Sequence, residues 1–203
     1  MNATDNSLME QVSQGQVRQL AVLFERHHRA LFRYFVSLNR NRDLSEDLVQ
    51  DVFCRMLRYR LTYQTEQPFL GWMYQIARNA SVDHFRKSSG RDRVRMVEID
   101  SFEDRQSEHA ASFTSAEADP EEQVARRQDQ DLLHRALDQL PKDKREVLIL
   151  SRLQGMKHAE IAAVLGCELG TVKVRVFRAM RALEQIVVEI SDEKVVKEAG
   201  RHL

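Results

Sequence analysis

The chain has 203 residues, with 31 Lys and Arg against 31 Asp and Glu, so its formal charge is zero. Charged residues nonetheless make up 31% of it, so the charge is partitioned along the chain, and the partition carries the information. Only seven Gly and three Pro occur, while Leu, Ala, Arg, Glu and Gln are plentiful, which favours helix; no alternating strand run is evident. No stretch approaches the roughly 18–20 apolar residues of a membrane span. The opening MNATDNSLME lacks the basic-then-apolar order of a signal peptide. Cys54 and Cys167 are far apart and neither stands at metal-ligand spacing, as expected of reduced thiols in a cytoplasmic protein. His27, His28, His84, His134 and His158 are scattered, without a visible acid–base or nucleophile partner, and there is no glycine-rich phosphate loop. Neither catalysis nor a metal or other cofactor is expected.

In chain order, residues 8–90 form a first domain, dense in aromatics from Phe24 to Phe85. Within it, residues 43–61 read as an amphipathic helix with Leu48, Val49, Val52, Phe53, Met56 and Leu57 as the buried stripe. Asp47, Gln50, Asp51, Cys54 and Arg58 lie on the other side, and residues 43–51 hold four acids and no base. That acidic face suits a basic partner helix, but for the helix taken alone a solvated face is the better reading. Residues 68–88 give the next helix, with Pro68 at its first position and Phe69, Met73, Ile76 and Ala80 inward. Trp72, Gln75, Asn79, Asp83 and Arg86 line another side, and residues 78–95 carry a net charge of +4. Aromatics, amides and cations together are what single-stranded DNA binding uses, stacking for bases and charge for phosphates. Trp72 fits the core equally well. Tyr63 begins a polar loop ahead of this helix.

Residues 91–123 form a linker, and 98–122 hold nine acids against the single Arg105. So little apolar surface cannot offset ordering entropy, which predicts a flexible acidic tether. Residues 124–190 return to helical periodicity, and 191–203 are a tail. Leu132, Leu133, Ala136, Leu137 and Leu140 build one helix, stopped before Pro141; Val147, Leu148, Leu150 and Leu153 line the next, ended by Gly155. Then AEIAAVLGCELGTVKVRVFRAMRAL reads as helix, turn and helix: Gly166 is placed for a left-handed cap, and Thr171 for an N-cap. Val172, Val176, Ala179 and Leu183 share one side of the last helix, with Lys173, Arg175, Arg178 and Arg181 on the others. A short basic helix braced by a second one has the geometry that enters a DNA major groove, though a plain helical hairpin shares the pattern. The expected fold class is all-α, two small helical domains joined by a flexible acidic linker, the second containing a helix-turn-helix.

DLVQDVFCRML, then FLGWMYQIARNASVDHFRK, an acidic linker, and LPKDKREVLILSRLQGMKHAEIAAVLGCELGTVKVRVFRAMRAL closely resemble the extracytoplasmic-function (group IV) sigma factors of the sigma-70 family. The likeness covers roughly residues 8–187. It implies that Asp47, Leu48, Gln50, Asp51 and Phe53 grip the β′ clamp coiled coil of RNA polymerase core. It implies that Phe69, Trp72, Tyr74, Ile76, Ala77 and Asn79 belong to the element that melts and reads the −10 promoter strand, with Asp83, Arg86 and Lys87 nearer the duplex edge and backbone; Tyr63 and Gln75 complete the expected −10 set. Asn79 and the loop Tyr63–Gln67 would capture a flipped base, whose unstacking costs a few kcal/mol. Thr171, Lys173, Val174, Arg175, Phe177, Arg178 and Arg181 would read the −35 element. The linker would run through the template-strand and RNA-exit path. Further implied partners are the β flap and an anti-sigma factor, with action in the cytoplasm and no direct membrane insertion.

Several positions depart from the family's pattern, among them Gln16, which replaces a frequent acid after Gly15. Lys157–His158 replace a capping Ser or Thr, Glu168 replaces a frequent Pro, and Val174 replaces a small polar residue. Val174 can touch a thymine methyl but cannot hydrogen-bond a base edge. The rival reading is a conventional helix-turn-helix regulator acting without polymerase. It explains residues 124–187 as well, but leaves the faces at 43–51 and 72–86 without a role and predicts tight duplex binding by the free protein. An interaction protein such as an anti-sigma factor would leave both cationic faces without a purpose.

Overall fold

The computed structural model describes residues 3–91 and 132–199; the acidic segment 98–122 lies outside them. Among the described residues every regular element is a helix. Helix α1 (Asp5–Ser13) starts where the Thr4 hydroxyl accepts the Ser7 N–H at 3.2 Å. Helix α2 (Gln19–Asn39) ends on Arg40 in the left-handed region, and Asn41 Oδ1 caps α3 (Arg42–Arg58) by accepting the Leu44 N–H at 2.9 Å. The chain then tightens into a 3-10 turn, Arg60–Thr62, so the helix expected over 43–61 stops earlier, and Leu57 faces solvent. Helix α4 (Phe69–Arg91) follows, with Pro68 just outside it.

Residues 132–139 form α5, and α6 (Lys142–Leu148) follows Pro141. Helix α6 widens into a π-type turn, Ile149–Leu153, in which the Gln154 N–H reaches back five residues to the Ile149 carbonyl at 2.9 Å. Leu153, expected inside, is exposed on this turn. Helix α7 (His158–Leu165) and α8 (Leu169–Ala199) complete the fold. Helix α8 does not stop where a tail was expected; it is continuous to Ala199, and Ile190 on it is buried.

The first domain wraps α1, α2 and α3 around α4. Met9, Leu23, Leu31, Phe35, Met56 and Met73 are fully buried in it, each worth about 1.5–3 kcal/mol of transfer free energy. In the second domain Val147–Leu150, Ile161, Val164, Val172, Val176 and Ala179 are buried. The two cores are continuous: α4 packs on α7, and α2 on α6 and the π-type turn.

A polar seam lines this junction. Tyr34 donates its hydroxyl to Glu146 Oε1 at 3.2 Å, and the same oxygen pairs with Arg78 Nε at 3.2 Å, though not in line for a hydrogen bond. Burial first, then the Glu146 carboxylate, raises the Tyr34 phenol well above its ordinary value, so it stays a donor. The π-type turn carries Gln154 to where its side-chain oxygen accepts from Tyr74 OH at 2.7 Å. Arg40 pairs with Asp138 and donates to the His134 carbonyl at 3.0 Å, and Lys142 Nζ sits 4.0 Å over the Phe85 ring. Glu146→Ala leaves a fully buried Tyr34 hydroxyl without its acceptor, at a cost of about 1–3 kcal/mol. Urea unfolding checks this, and the loss should appear in the melting of both domains together.

Candidate nucleic-acid interface

Helix α3 presents Asp47 and Gln50 to solvent, with Asp51 half-buried, while Leu48 and Phe53 point into the core. Phe53 packs edge-on against Phe24 at 4.9 Å. The acidic edge of α3 therefore consists of Asp47, Gln50 and Asp51, and the two apolar members of the expected set hold it in place from below. Between α3 and α4 runs a shallow groove lined by Asp47, Asp51, Arg55, Asp83, His84 and Lys87, among others. Arg55 ties its walls together: Nε donates to Asp51 at 2.9 Å and Nη1 to Asp83 at 2.8 Å. Asp83 also accepts from Arg86 at 3.4 Å. Sequence reasoning did not single out Arg55. Its spacing of four from Asp51 was visible, but its reach to Asp83 across two helices was not.

On α4, Gln75, Asn79, Arg86 and Lys87 are exposed along one side, and Tyr74, Arg78 and Phe85 occupy the side docked on the second domain. The docked side and the amide–cation side of α4 are thus separate, and the second domain leaves the latter open. Trp72 is only 8% exposed, edge-on to Tyr63 at a centroid distance of 5.1 Å. The pair forms the floor under the loop 64–67. Tyr63 donates to the Gln67 carbonyl at 3.4 Å, and its phenol is pushed up to about 12 by burial and then by the Glu10 and Asp5 carboxylates. Asn6 of α1 bonds the loop and the first N–H of α4, a contact no sequence spacing announces.

In the helix-turn-helix, Gly166 adopts φ +63°, and the Cys167 N–H closes on the Ala162 carbonyl at 3.0 Å. The missing Ser or Thr cap of α7 is replaced from the other side: Glu160 Oε2 accepts the Lys157 backbone N–H at 2.8 Å. Helix α8 starts at Leu169, so Thr171 lies inside its first turn and is not the N-cap. The Val172 N–H already bonds the Glu168 carbonyl at 3.2 Å, which draws the start of the helix back. All seven expected −35 residues are exposed, and they fall into two stripes. Thr171, Val174, Arg175 and Arg178 line one groove with Glu168 and Gly170. Lys173, Phe177 and Arg181 flank it, with the Arg181 guanidinium 5.4 Å over the Phe177 ring. Val174 at 47% and Phe177 at 62% exposure are apolar side chains held in solvent on a basic helix. Among the described residues no cluster of His, Cys, Asp and Glu could hold a metal ion, and no helix is long and apolar enough to cross a membrane.

The Arg55 hydrogen bond, against a smaller burial effect, lowers the Asp83 carboxyl below its ordinary 3.8. Because the folded value is the lower one, this pairing stabilises fully above the unfolded value and is lost as pH falls through the folded one. Arg55→Ala should return Asp83 toward 3.8 and flatten the acid limb of the stability–pH curve. NMR titration of the Asp83 carboxyl reads the first effect, and urea unfolding at stepped pH the second.

Comparison with known proteins places this geometry in a family. Residues 23–91 match the model of sigma-70 region 2, and residues 130–183 that of sigma-70 region 4. The chain is 26% identical to the RNA polymerase sigma-H factor of Pseudomonas aeruginosa over 181 residues, 89% of this chain and 92% of that one. It is 27% identical to the ECF RNA polymerase sigma-E factor of Escherichia coli K12, over 91% of this chain and 94% of that one. The sigma factor RpoE of Bartonella quintana, solved in complex with the anti-sigma factor NepR, superposes with a TM-score of 0.65 at 27% identity, over 82% of this chain and 95% of that one. CnrH, solved with the cytosolic domain of CnrY, shares the fold at 24% identity and a TM-score of 0.65, over 91% of this chain and 97% of that one. With regions 2 and 4 in order on one chain, and relatives aligned along nearly the whole of it, the protein belongs to the sigma-70 family as an alternative, extracytoplasmic-function sigma factor.

Proposed function

We propose that the chain initiates transcription by the following division of labour. The α3 edge of Asp47, Gln50 and Asp51 docks on the β′ clamp coiled coil of core RNA polymerase. The exposed side of α4, with the loop after Tyr63, takes the melted −10 strand. Helix α8 reads the −35 duplex while its domain rests on the β flap. One observation carries this reading: a single helix pair presents an acidic edge on α3 beside an amide–cation stripe on α4, in a chain that also exposes a basic reading helix. Opposite charges side by side suit two partners at once, a basic protein helix and a nucleic-acid strand. The rival duplex-only regulator uses only α8.

Phosphate contacts by Arg86, Lys87, Lys173 and Arg181 supply sequence-independent affinity, and Val174, Arg175 and Arg178 supply base selection. The protein binds and orients, and carries out no covalent step. Its place of action is the cytoplasm, and the regulator best suited to it is an anti-sigma factor.

The docked arrangement of the two domains constrains the mechanism. Elements at −35 and −10 lie about 25 base pairs, or ~85 Å, apart along B-form DNA. A compact chain of 203 residues has a radius of gyration near ~17 Å. Both elements can be read together only after α7 leaves α4, so core polymerase must hold the domains apart. Cys54 is exposed in the first domain and Cys167 partly exposed in the second. Because Cys54 shares the α3 edge, it is replaced by Ser; a dye on Cys167 and one on a cysteine introduced elsewhere on the first domain's exposed surface should show high energy transfer in the free protein and a fall on adding core polymerase.

The assignments are separable by mutation. Asp51→Arg places a cation against the basic clamp helix and should weaken core binding about tenfold or more, read by competition for core. Arg178→Ala should leave core binding intact and lower run-off transcription from −35-dependent promoters about 5- to 100-fold. Normal holoenzyme assembly by the Asp51 variant contradicts the clamp assignment.

A further inference from the structure

Helix α1 precedes the segment matched to sigma-70 region 2, which begins at residue 23. It nevertheless makes the most specific contact with the loop ahead of α4. Asn6 lies in the first turn of α1, and all its side-chain hydrogen-bonding groups turn to that loop. Nδ2 donates to the Thr65 carbonyl at 3.3 Å and to the Gln67 carbonyl at 3.2 Å. Oδ1 accepts the Phe69 N–H, the first of α4, at 3.1 Å. Pro68, at the N-cap position of α4, has no side-chain oxygen to accept an N–H of the first turn, so the acceptor comes from a residue 63 positions away in sequence.

Asn6 is itself held on a firm base. Its neighbour Asp5 accepts from Arg26 Nη1 at 2.6 Å and bonds His27 Nε2 at 2.7 Å, both on α2. The His27 ring lies 5.2 Å from Phe69, the residue whose N–H Asn6 caps. Below the loop, Tyr63 and Trp72 close the floor, and Tyr63 donates to the same Gln67 carbonyl that Asn6 reaches. The loop is thus pinned at Thr65, Gln67 and Phe69, while the side chains of Gln64, Thr65, Glu66 and Gln67 face solvent.

We infer that Asn6 is a positioning residue for −10 strand selection, fixing the loop 64–67 at the height and orientation at which a flipped base is read. This rests on the reading of that loop as the base pocket. A pocket that discriminates bases by hydrogen bonding has to be rigid, because a displacement of about 1 Å costs up to a hundredfold in rate. Backbone carbonyls tied by one amide provide that rigidity in a loop with no regular structure of its own. Helix α1 becomes part of the promoter-reading apparatus without touching DNA.

The test uses the full chain assembled with core polymerase on promoters carrying each of the four bases at every −10 position. Asn6→Ala should lower initiation about ten- to hundredfold at the preferred base and make the rates for the four bases converge at one −10 position. Core affinity and the response to −35 changes should stay as in the wild type. Asn6→Asp keeps the acceptor for the Phe69 N–H but turns a carboxylate on the Thr65 and Gln67 carbonyls. It should lose the base preference as fully as Asn6→Ala although α4 keeps its cap, which a cap of merely structural importance would not do. Base preference unchanged in both variants, with only the melting temperature of Asn6→Ala lowered, overturns the inference alone. If Thr65→Ala, Glu66→Ala and Gln67→Ala also leave the −10 preference unchanged, the assignment of the loop falls with it.

Discussion

Helix α4 has to be packed on several sides and still keep one side free. Met73, Ala77 and Ala80 are buried, Tyr74 and Arg78 engage the second domain, and α1 caps its start through Asn6. What remains exposed includes Gln75, Asn79, Arg86 and Lys87, with Val82 among them. Alanines at 77 and 80 allow close approach of neighbouring helices, as interior packing at near-crystalline density requires. A larger residue at either place would push a neighbour away and tilt the stripe. The orientation of this exposed stripe is therefore set by the core behind it.

The zero net charge hides a deliberate separation. The α3 edge is acidic, the far end of α4 and the start of α8 are basic, and Arg55 sits between two carboxylates at the α3–α4 border. Arg55 offsets part of the Asp51 and Asp83 charge from inside the fold and so weakens the field of the acidic edge at Arg86 and Lys87, only one or two turns away. The same separation gives a chain without net attraction to bulk DNA a local attraction at each reading face, within a Debye length of about 8–10 Å. At the domain junction the charges are paired: Glu146 is met by both a phenol and a guanidinium, and Asp138 by Arg40.

Much of this was legible in the sequence. The helical class, the two domains, the Gly166 turn and the exposed basic face of α8 follow from local periodicity and conformational preference, which act over a few residues. Local rules failed where the controlling contact was distant or the backbone departed from the α-helix. Leu57 and Leu153 fit an apolar stripe, yet both are exposed: Leu57 in the last turn of α3, where the core behind the helix ends, and Leu153 on the π-type turn, which rotates the chain out of α-helical register. Thr171 has cap chemistry, but the helix forms two residues earlier. Trp72, poised between core and surface on composition, lies under Tyr63. Asn6, the Arg55–Asp83 bridge and the Glu146 seam join residues 28 to 112 positions apart, and no periodicity records such pairs.

As a sigma factor, this chain selects promoters only in the company of polymerase. Run-off transcription with purified core RNA polymerase on a promoter library, alongside duplex binding by the free protein, tests this directly. Starts should appear that are absent with core alone and that share two sequence elements at fixed spacing, with weak duplex binding by the free chain. No association with core, together with tight and specific duplex binding by the free protein, would contradict it.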